Sequence, residues 1–366
     1  MKIRGIIKAL VLLIMVMPSY ADAAYLGELR LSLIYGDVQV MTEDTSEWVP
    51  AAINMPLRSG DRIWVPEGAR TEIQALNGTA IRLDEGTSLD ILTVDRDSLQ
   101  FYLDIGRAYL NFRGPKKSRI VQLDTPVSSV QVHDRATFAV AVSERGDTDI
   151  SVFKGKVYVE GRSGRTKVTA GKVLYVTADY AELYPLGRPD AWGEWNMERD
   201  RIFEERGYSS RYLPEELDIY SGDLDRNGRW VSTAQYGYVW TPTVHVYAGW
   251  SPYRDGRWVW IGGDYVWIAY EPWGWVPYHY GRWSFIASFG WCWVPPVRGD
   301  VYWGPGYVGW VSTPTYVAWV PLAPEEVYYG YGHYGRHSVN IVNVNINTIE
   351  VKNVYRNTSV NNGITV

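Results

Sequence analysis

The chain of 366 residues is poor in the side chains that most catalytic and metal sites are built from. It has one cysteine, Cys292, so no intrachain disulfide can form and stability must come from burial. Five histidines, at 133, 245, 279, 333 and 337, are scattered. His333 and His337 have i, i+4 spacing, but the glycines at 330, 332 and 335 forbid the helix that would bring them together. Positive charge is not in excess either. A net charge of −5 and a pI near 5.7 remove the attraction that nucleic-acid binding depends on, which excludes DNA and RNA as expected ligands. No Gly-x-Ser-x-Gly elbow occurs, and Cys292 between Trp291 and Trp293 reads as a packed thiol. Beyond the N-terminal segment no stretch of about 18 uncharged apolar residues is present, so the sequence predicts no spanning helix in the mature chain.

That N-terminal segment has the layout of an export signal. Lys2, Arg4 and Lys8 precede the apolar run Ala9 to Met17, then Pro18 and the small-x-small site Ala21-Asp22-Ala23. Cleavage between Ala23 and Ala24 is expected, and no cysteine near the cut offers a lipid anchor. The expected location is periplasmic, with the cell surface or secretion as the alternative.

Aromatic residues, glycine and proline are plentiful: 18 Trp, 28 Tyr, 35 Gly and 19 Pro, a composition of strands and turns that predicts an all-β protein. Residues 24–187 read as short strands whose turn glycines, at 60, 68, 78 and 86, are spaced for a sandwich, barrel or roll. At Asn77-Gly78 a two-residue hairpin would mix the two faces. A three-residue loop, Asn77-Gly78-Thr79 with Gly78 left-handed, pairs Ala75 with Ile81 and Ile73 with Leu83 and keeps one face apolar, unless the strands stack as solenoid rungs.

The succession Gly36-x-Val38-x-Val40, Pro56-Leu57-x-x-Gly60-Asp61-x-Ile63, Asn77-Gly78-Thr79-x-Ile81-x-Leu83 resembles the FecR-like domain. So do Leu103-x-x-Gly106-x-Ala108, Thr125-Pro126, Val152-x-x-Gly155-x-Val157 and Ala170-Gly171. The resemblance implies a β roll or solenoid-like domain. Arg135-Ala136-Thr137-Phe138 departs from the family's Gly-Thr-x-Phe step. The family's namesake regulator needs a membrane helix and a cytosolic segment to reach a sigma factor. This sequence shows neither, so fold alone is carried over.

Residues 188–217 form a charged connector. Asp190 can cap a helix from Ala191 to about Arg206 with Trp192, Trp195 and Ile202 or Phe203 near one face, ended by Gly207.

In residues 218–326 the composition changes again: fourteen of the 18 Trp lie between Trp230 and Trp319, where Ile and Leu are scarce. Gly-Arg-Trp recurs at 228, 256 and 281, and Trp-x-Pro at Trp240, Trp250, Trp275, Trp293 and Trp319. The decapeptide Gly249-Trp250-x-Pro252-Tyr253-x-x-Gly256-Arg257-Trp258 returns as Gly274-Trp275-x-Pro277-Tyr278-x-x-Gly281-Arg282-Trp283. Four successive hairpins are predicted, with Gly262-Gly263-Asp264 the clearest turn. The stretch resembles a Trp-rich domain of unknown function that often follows FecR-like domains in bacterial envelope proteins, on Asp223-Leu224-Asp225, Trp273 to Trp283 and Trp319 to Pro324. Residues 327–366 form a Tyr/Gly-rich and then Asn/Val-rich tail that stops without a marked ending.

Two roles are open for the rings. Either they fill the core of a domain short of aliphatic residues, or Trp250, Tyr253, Trp258, Trp275, Tyr278 and Trp283 present a strip that stacks on sugars. The remaining motifs carry little. Gly304-x-Gly306-x-x-Gly309 and Gly330-x-Gly332-x-x-Gly335 lack the βαβ context of a dinucleotide site, and Asp223-x-Asp225-x-Asn227-Gly228 lacks the closing Glu of a calcium loop, with Ala234 in its place. No cofactor, metal or catalytic residue is expected. A non-catalytic envelope scaffold or binding module for glycans or another envelope protein is the leading reading. A FecR-like regulator acting through a partner is the second, and a glycan-acting enzyme using Asp264 and Glu271 the third.

Overall fold

A computed structural model describes residues 26–95, 98–114, 120–204, 207–243, 246–312, 315, 317–341, 355–359 and 364–365. The export signal and its cleavage site, His245 and most of the Asn/Val tail lie outside the described residues.

Seventeen strands between Leu29 and Pro185 form two stacked layers enclosing an aliphatic core of Val, Ile and Leu. One strand, Ser98–Phe112, belongs to both. Its first half runs parallel to Ile120–Asp124 and antiparallel to Thr87–Val94 in one layer, and its second half pairs with Ala80–Leu83 and Ala136–Val142 in the other. The changeover falls at Gly106, whose φ is 96° and where a Cβ would sit 2.5 Å from the Thr87 Cα. No side chain fits that corner, which accounts for the glycine in Leu103-x-x-Gly106. The described architecture is an open roll with no closed barrel. At the departure from the FecR pattern, Ala136 starts a strand and the pairing with Thr148–Lys154 slips between Thr137 and Phe138.

The Asn77-Gly78 hairpin has a three-residue loop with Gly78 left-handed at φ 83°, but its register differs from the expected one. Ile73 faces Ile81 and Thr71 faces Leu83, with Ala75 N–H donating to Thr79 O at 2.8 Å, so the loop is Leu76-Asn77-Gly78. Leu76 is spent in the turn because it packs on the Trp-rich core beyond the sheet, as Ile219 also does. Both registers keep Ile73, Ile81 and Leu83 on one face, so alternation alone could not separate them.

Helix α1, Ala191–Glu204, starts at Asp190, whose Oδ1 accepts the Gly193 N–H at 2.8 Å as an N-cap. Its buried face is Trp192, Asn196 and Asp200, more polar than the expected stripe, of which Trp195 and Phe203 are half-buried and Ile202 is exposed. The cause is a buried ion network. Arg82 donates to Glu72 at 2.6 Å and to Asp200 at 2.7 Å, Arg199 adds a second cation on Glu72 at 3.0 Å, and the Tyr109 hydroxyl donates to Asp200 at 2.9 Å. Burial pushes the Glu72 carboxyl up, but the two guanidiniums outweigh it and hold the pKa below its ordinary value. Polar residues therefore face inward on α1. A further helix, α2 (Ser221–Asn227), precedes the first Trp hairpin.

Four hairpins follow: Gly228–Thr233 with Gly237–Pro242, Gly256–Ile261 with Asp264–Ala269, Arg282–Ile286 with Gly290–Val294, and Val308–Ser312 with Val317–Pro321. In each, one Trp stands opposite another: Trp230 and Trp240, Trp258 and Trp267, Trp283 and Trp293, Trp310 and Trp319. The glycine of each Gly-Arg-Trp lies under a ring of the returning strand. A Cβ at Gly228, Gly256 or Gly281 would meet Trp240, Trp267 or Trp293 at 2.3, 2.5 or 2.8 Å. The repeat is thus a packing device.

Candidate functional site

The second hairpin joins the two halves of the molecule. Ile261, Val266 and Ile268 on one face belong to the core of the β layers, and Trp258, Trp260, Tyr265 and Trp267 occupy the other. Asn54 bridges from the layers: its Nδ2 donates to Glu271 O at 2.9 Å and its Oδ1 accepts from Arg30, which also pairs with Asp223 at 2.9 Å.

Of the six aromatics expected to form a sugar-stacking strip, five are core. Trp250 is 7% exposed, Trp275 and Trp283 are 1%, and Tyr253 and Tyr278 are 0%. Trp258 is half-buried, with Tyr253 stacked 5.9 Å away at 8° and Trp310 at 4.7 Å. An open strip needs a free ring face, and these five have none. The reason is area: with Ile and Leu scarce, rings of about 150–250 Å² each must supply the burial. Some indole N–H groups of this core are used internally, Trp283 donating to Pro277 O at 2.8 Å and Trp293 to Tyr280 O at 2.7 Å, while that of Trp275 is buried without an acceptor. The two decapeptide copies also diverge: Tyr253 lies in a loop at φ 60°, whereas Trp275–His279 forms the helical turn α3.

Two buried ionisable groups lie inside this aromatic core. Glu271 is fully buried, with Oε1 accepting from Tyr278 OH at 2.8 Å and Trp250 Nε1 at 3.3 Å, and Oε2 without a partner. Burial raises its pKa from 4.5 to about 7. His279, stacked on Trp303 at 5.0 Å, has Nδ1 2.8 Å from Gly304 O, and burial lowers its pKa to about 4. Asp264 sits in a different cluster, accepting from Tyr334 OH at 3.1 Å. The two carboxylates considered for glycan hydrolysis have different hydrogen-bond partners, Trp250 and Tyr278 for Glu271 against Tyr265, Tyr331 and Tyr334 for Asp264, and line none of the clefts described below.

Other motifs resolve in the same way. Asp223, Asp225 and Asn227 lie on α2 instead of a calcium loop: Asp223 pairs with Arg30 and Arg226, and Asp225 accepts from Ser209. Among the described residues no group of three His, Cys, Asp or Glu side chains could hold a metal ion. Cys292 is buried and its thiol is pushed up to about 11 by desolvation, which keeps it protonated.

Two of the open surfaces of the Trp-rich part are candidate sites. On the outer half of the second hairpin, Trp260 (49% exposed) meets Tyr265 (50%) and Tyr331 (48%) edge-on at 74° and 77°, and Tyr265 adjoins Trp310 (37%). These four rings were not singled out in the sequence; the alternation Trp258-x-Trp260 opposite Tyr265-x-Trp267 was the available signal. The other surface is a cleft of about 480 Å³ beside the third hairpin, holding Arg282, Tyr302, Tyr307 and Pro296. Of the three Gly-Arg-Trp arginines, Arg229 and Arg257 are exposed and only Arg282 is drawn in. In the β layers a shallow basic depression is lined by His133, Tyr158, Arg165 and Lys167.

Residues 61–158 match the model of the FecR protein family, and residues 221–326 match that of a family of unknown function, DUF6600. No curated protein matches the chain. Two crystal structures of a candidate anti-sigma factor from Parabacteroides distasonis are similar at 18% and 19% identity. Each aligns over 43% of this chain, and over 73% and 74% of its own, with a TM-score of 0.31. Among the described residues no helix is long and apolar enough to cross a membrane.

Proposed function

We propose that this is a non-catalytic, exported envelope protein in which the β layers scaffold the Trp-rich part, and that the open rings of the second hairpin bind envelope glycan. The face formed by Trp260, Tyr265, Trp310 and Tyr331 carries the reading. It holds indole and phenol rings, a composition suited to the C–H faces and hydroxyls of sugars. That Asp264 and Glu271 are held in different hydrogen-bond clusters supports binding without hydrolysis. Periplasmic location rests on the N-terminal signal.

The test is a pull-down of the purified mature chain on peptidoglycan and on envelope polysaccharides. Retention that is lost in Trp260→Ala, with thermal stability unchanged, supports the reading; equal retention of both proteins refutes it. A second reading, a FecR-like regulator working through another protein, is favoured by the family match over residues 61–158. Failure on every glycan, together with stoichiometric cross-linking to one membrane-spanning partner, would decide for it.

A further inference from the structure

The cleft beside the third hairpin is separate from the open aromatic face and shares no residue with it. Its charges are unevenly matched. Asp300 has Arg336 at 4.0 Å and Glu325 has Arg356 at 3.6 Å, so both acids on the cleft wall are answered by cations. Arg282 has no carboxylate partner among the described residues. Its guanidinium lies 3.7 Å from the centroid of the Tyr307 ring, Nη1 donates to the neighbouring Gly281 O at 2.8 Å, and Nε is enclosed without an acceptor. The Tyr307 hydroxyl beneath it is taken up by the backbone oxygens of Tyr302 and Tyr334 at 3.1 and 3.2 Å, which hold the ring as a fixed platform.

A guanidinium fixed flat on an aromatic ring is already oriented and loses little freedom when one of its remaining N–H groups is used. With no carboxylate paired to it among the described residues, the guanidinium can complement an anion that a ligand brings. Around it Pro295, Pro296, Val297 and the half-open ring of Tyr302 provide apolar walls that suit the body of a small ring. At about 480 Å³ the space falls within the range of about 300–1,000 Å³ typical of small-ligand sites.

We infer that this cleft binds a carboxylate carried on a sugar ring, with Arg282 on the carboxylate and the tyrosine and proline walls on the ring. The inference deepens the glycan reading at a second site and can fail without it.

Calorimetric titration of the full mature chain tests it with a matched pair of probes, N-acetylmuramic acid and N-acetylglucosamine, which differ by the lactyl carboxylate. The acid should bind saturably and the neutral sugar at least about tenfold more weakly, the scale of a lost charge-assisted bond. Arg282→Lys keeps the charge but not the planar guanidinium stacked on Tyr307 and should weaken acid binding by about tenfold at an unchanged melting temperature. Trp260→Ala should leave the titration as it was. Equal binding of the two sugars, no binding of the acid, or an Arg282→Lys protein that binds like the parent would each overturn the inference. So would a free-carboxylate tripeptide that binds where the sugar acid does not. If Arg282→Lys fails to fold, the sugar pair on the parent protein still decides. Loss of polysaccharide retention in Trp260→Ala with this titration intact separates the fate of the two sites.

Discussion

Replacing Glu271 by Gln should stabilise the protein in alkaline solution and not in acid. The carboxyl is fully buried among Tyr278, Trp250 and Trp273-side rings of the core, with one oxygen unpartnered, and its pKa rises from 4.5 to about 7 chiefly through desolvation. A raised folded-state value means that the folded protein holds the proton more tightly than the unfolded chain. The favourable contribution is complete below the unfolded value and is lost as pH climbs through the folded one. A shift from 4.5 to about 7 corresponds to about 3 kcal/mol at about 1.4 kcal/mol per unit. Above about pH 8 the ionised parent therefore carries a penalty of about 3 kcal/mol that the neutral amide does not. Urea unfolding of parent and Glu271→Gln at pH 4.5, 6, 7 and 8.5, followed by Trp fluorescence, measures the difference directly. His279, whose lowered pKa costs stability as pH falls from about 6.5 towards 4, acts in both proteins and cancels. The stability difference should grow towards alkali at up to about 1.4 kcal/mol per unit and level off above about pH 8. A difference independent of pH, or one growing towards acid, would refute a protonated Glu271 in the folded core.

Three further outcomes are expected. Trp283→Ala should cost about 3–5 kcal/mol in urea unfolding, because the ring is 1% exposed, whereas Trp260→Ala, at 49%, should cost under about 1 kcal/mol. Glu72→Ala leaves Arg82 and Arg199 with a single carboxylate, Asp200, for two guanidiniums, and should destabilise by about 3–5 kcal/mol; a loss below about 1 kcal/mol would show that the network does not hold α1. N-terminal sequencing of the exported protein should begin at Ala24, and recovery of an intact form starting at Met1 in the membrane fraction would contradict the cleavage.

Much of this fold is legible because turn chemistry and alternation are local. Gly228–Thr233 and the Gly262-Gly263 turn follow from glycine placement and strand spacing, and the start of α1 follows from Asp190. Other features depend on distant partners that no local pattern encodes. Leu76 enters the turn because the Trp-rich core lies beyond it, and Asn196 and Asp200 face inward because Arg82, more than a hundred residues earlier, supplies donors. The rings posed the hardest case. Trp258-x-Trp260 defines a face of the second hairpin but not what covers it; the inner half is closed by Tyr253, Trp310 and Trp319, and the outer half is left open. Equivalent positions in a repeat share an environment only when their surroundings repeat. Here one copy is a loop and the other is α3.

The junction between the halves bears on how a ligand on the Trp-rich part could be sensed. Asn54, buried in the left-handed region at φ 64°, donates to the carbonyls of Ala269 and Glu271, while its side-chain oxygen holds Arg30. Arg30 in turn ties Gln74 of the β layers to Asp223 of α2, and lies over Tyr220 at 5.0 Å and Trp275 at 5.7 Å. Every group in this chain is buried or half-buried, so a displacement of the second hairpin would strand several polar atoms at once. The physical consequence is a stiff coupling. The strand Asp264–Ala269, which carries Tyr265 on the open face and Val266 and Ile268 in the core of the layers, cannot shift independently of either side. If the outer rings bind as proposed, a ligand there would bear on the β layers through one strand and one buried polar relay, the arrangement of a rigid presenter and not of two hinged domains.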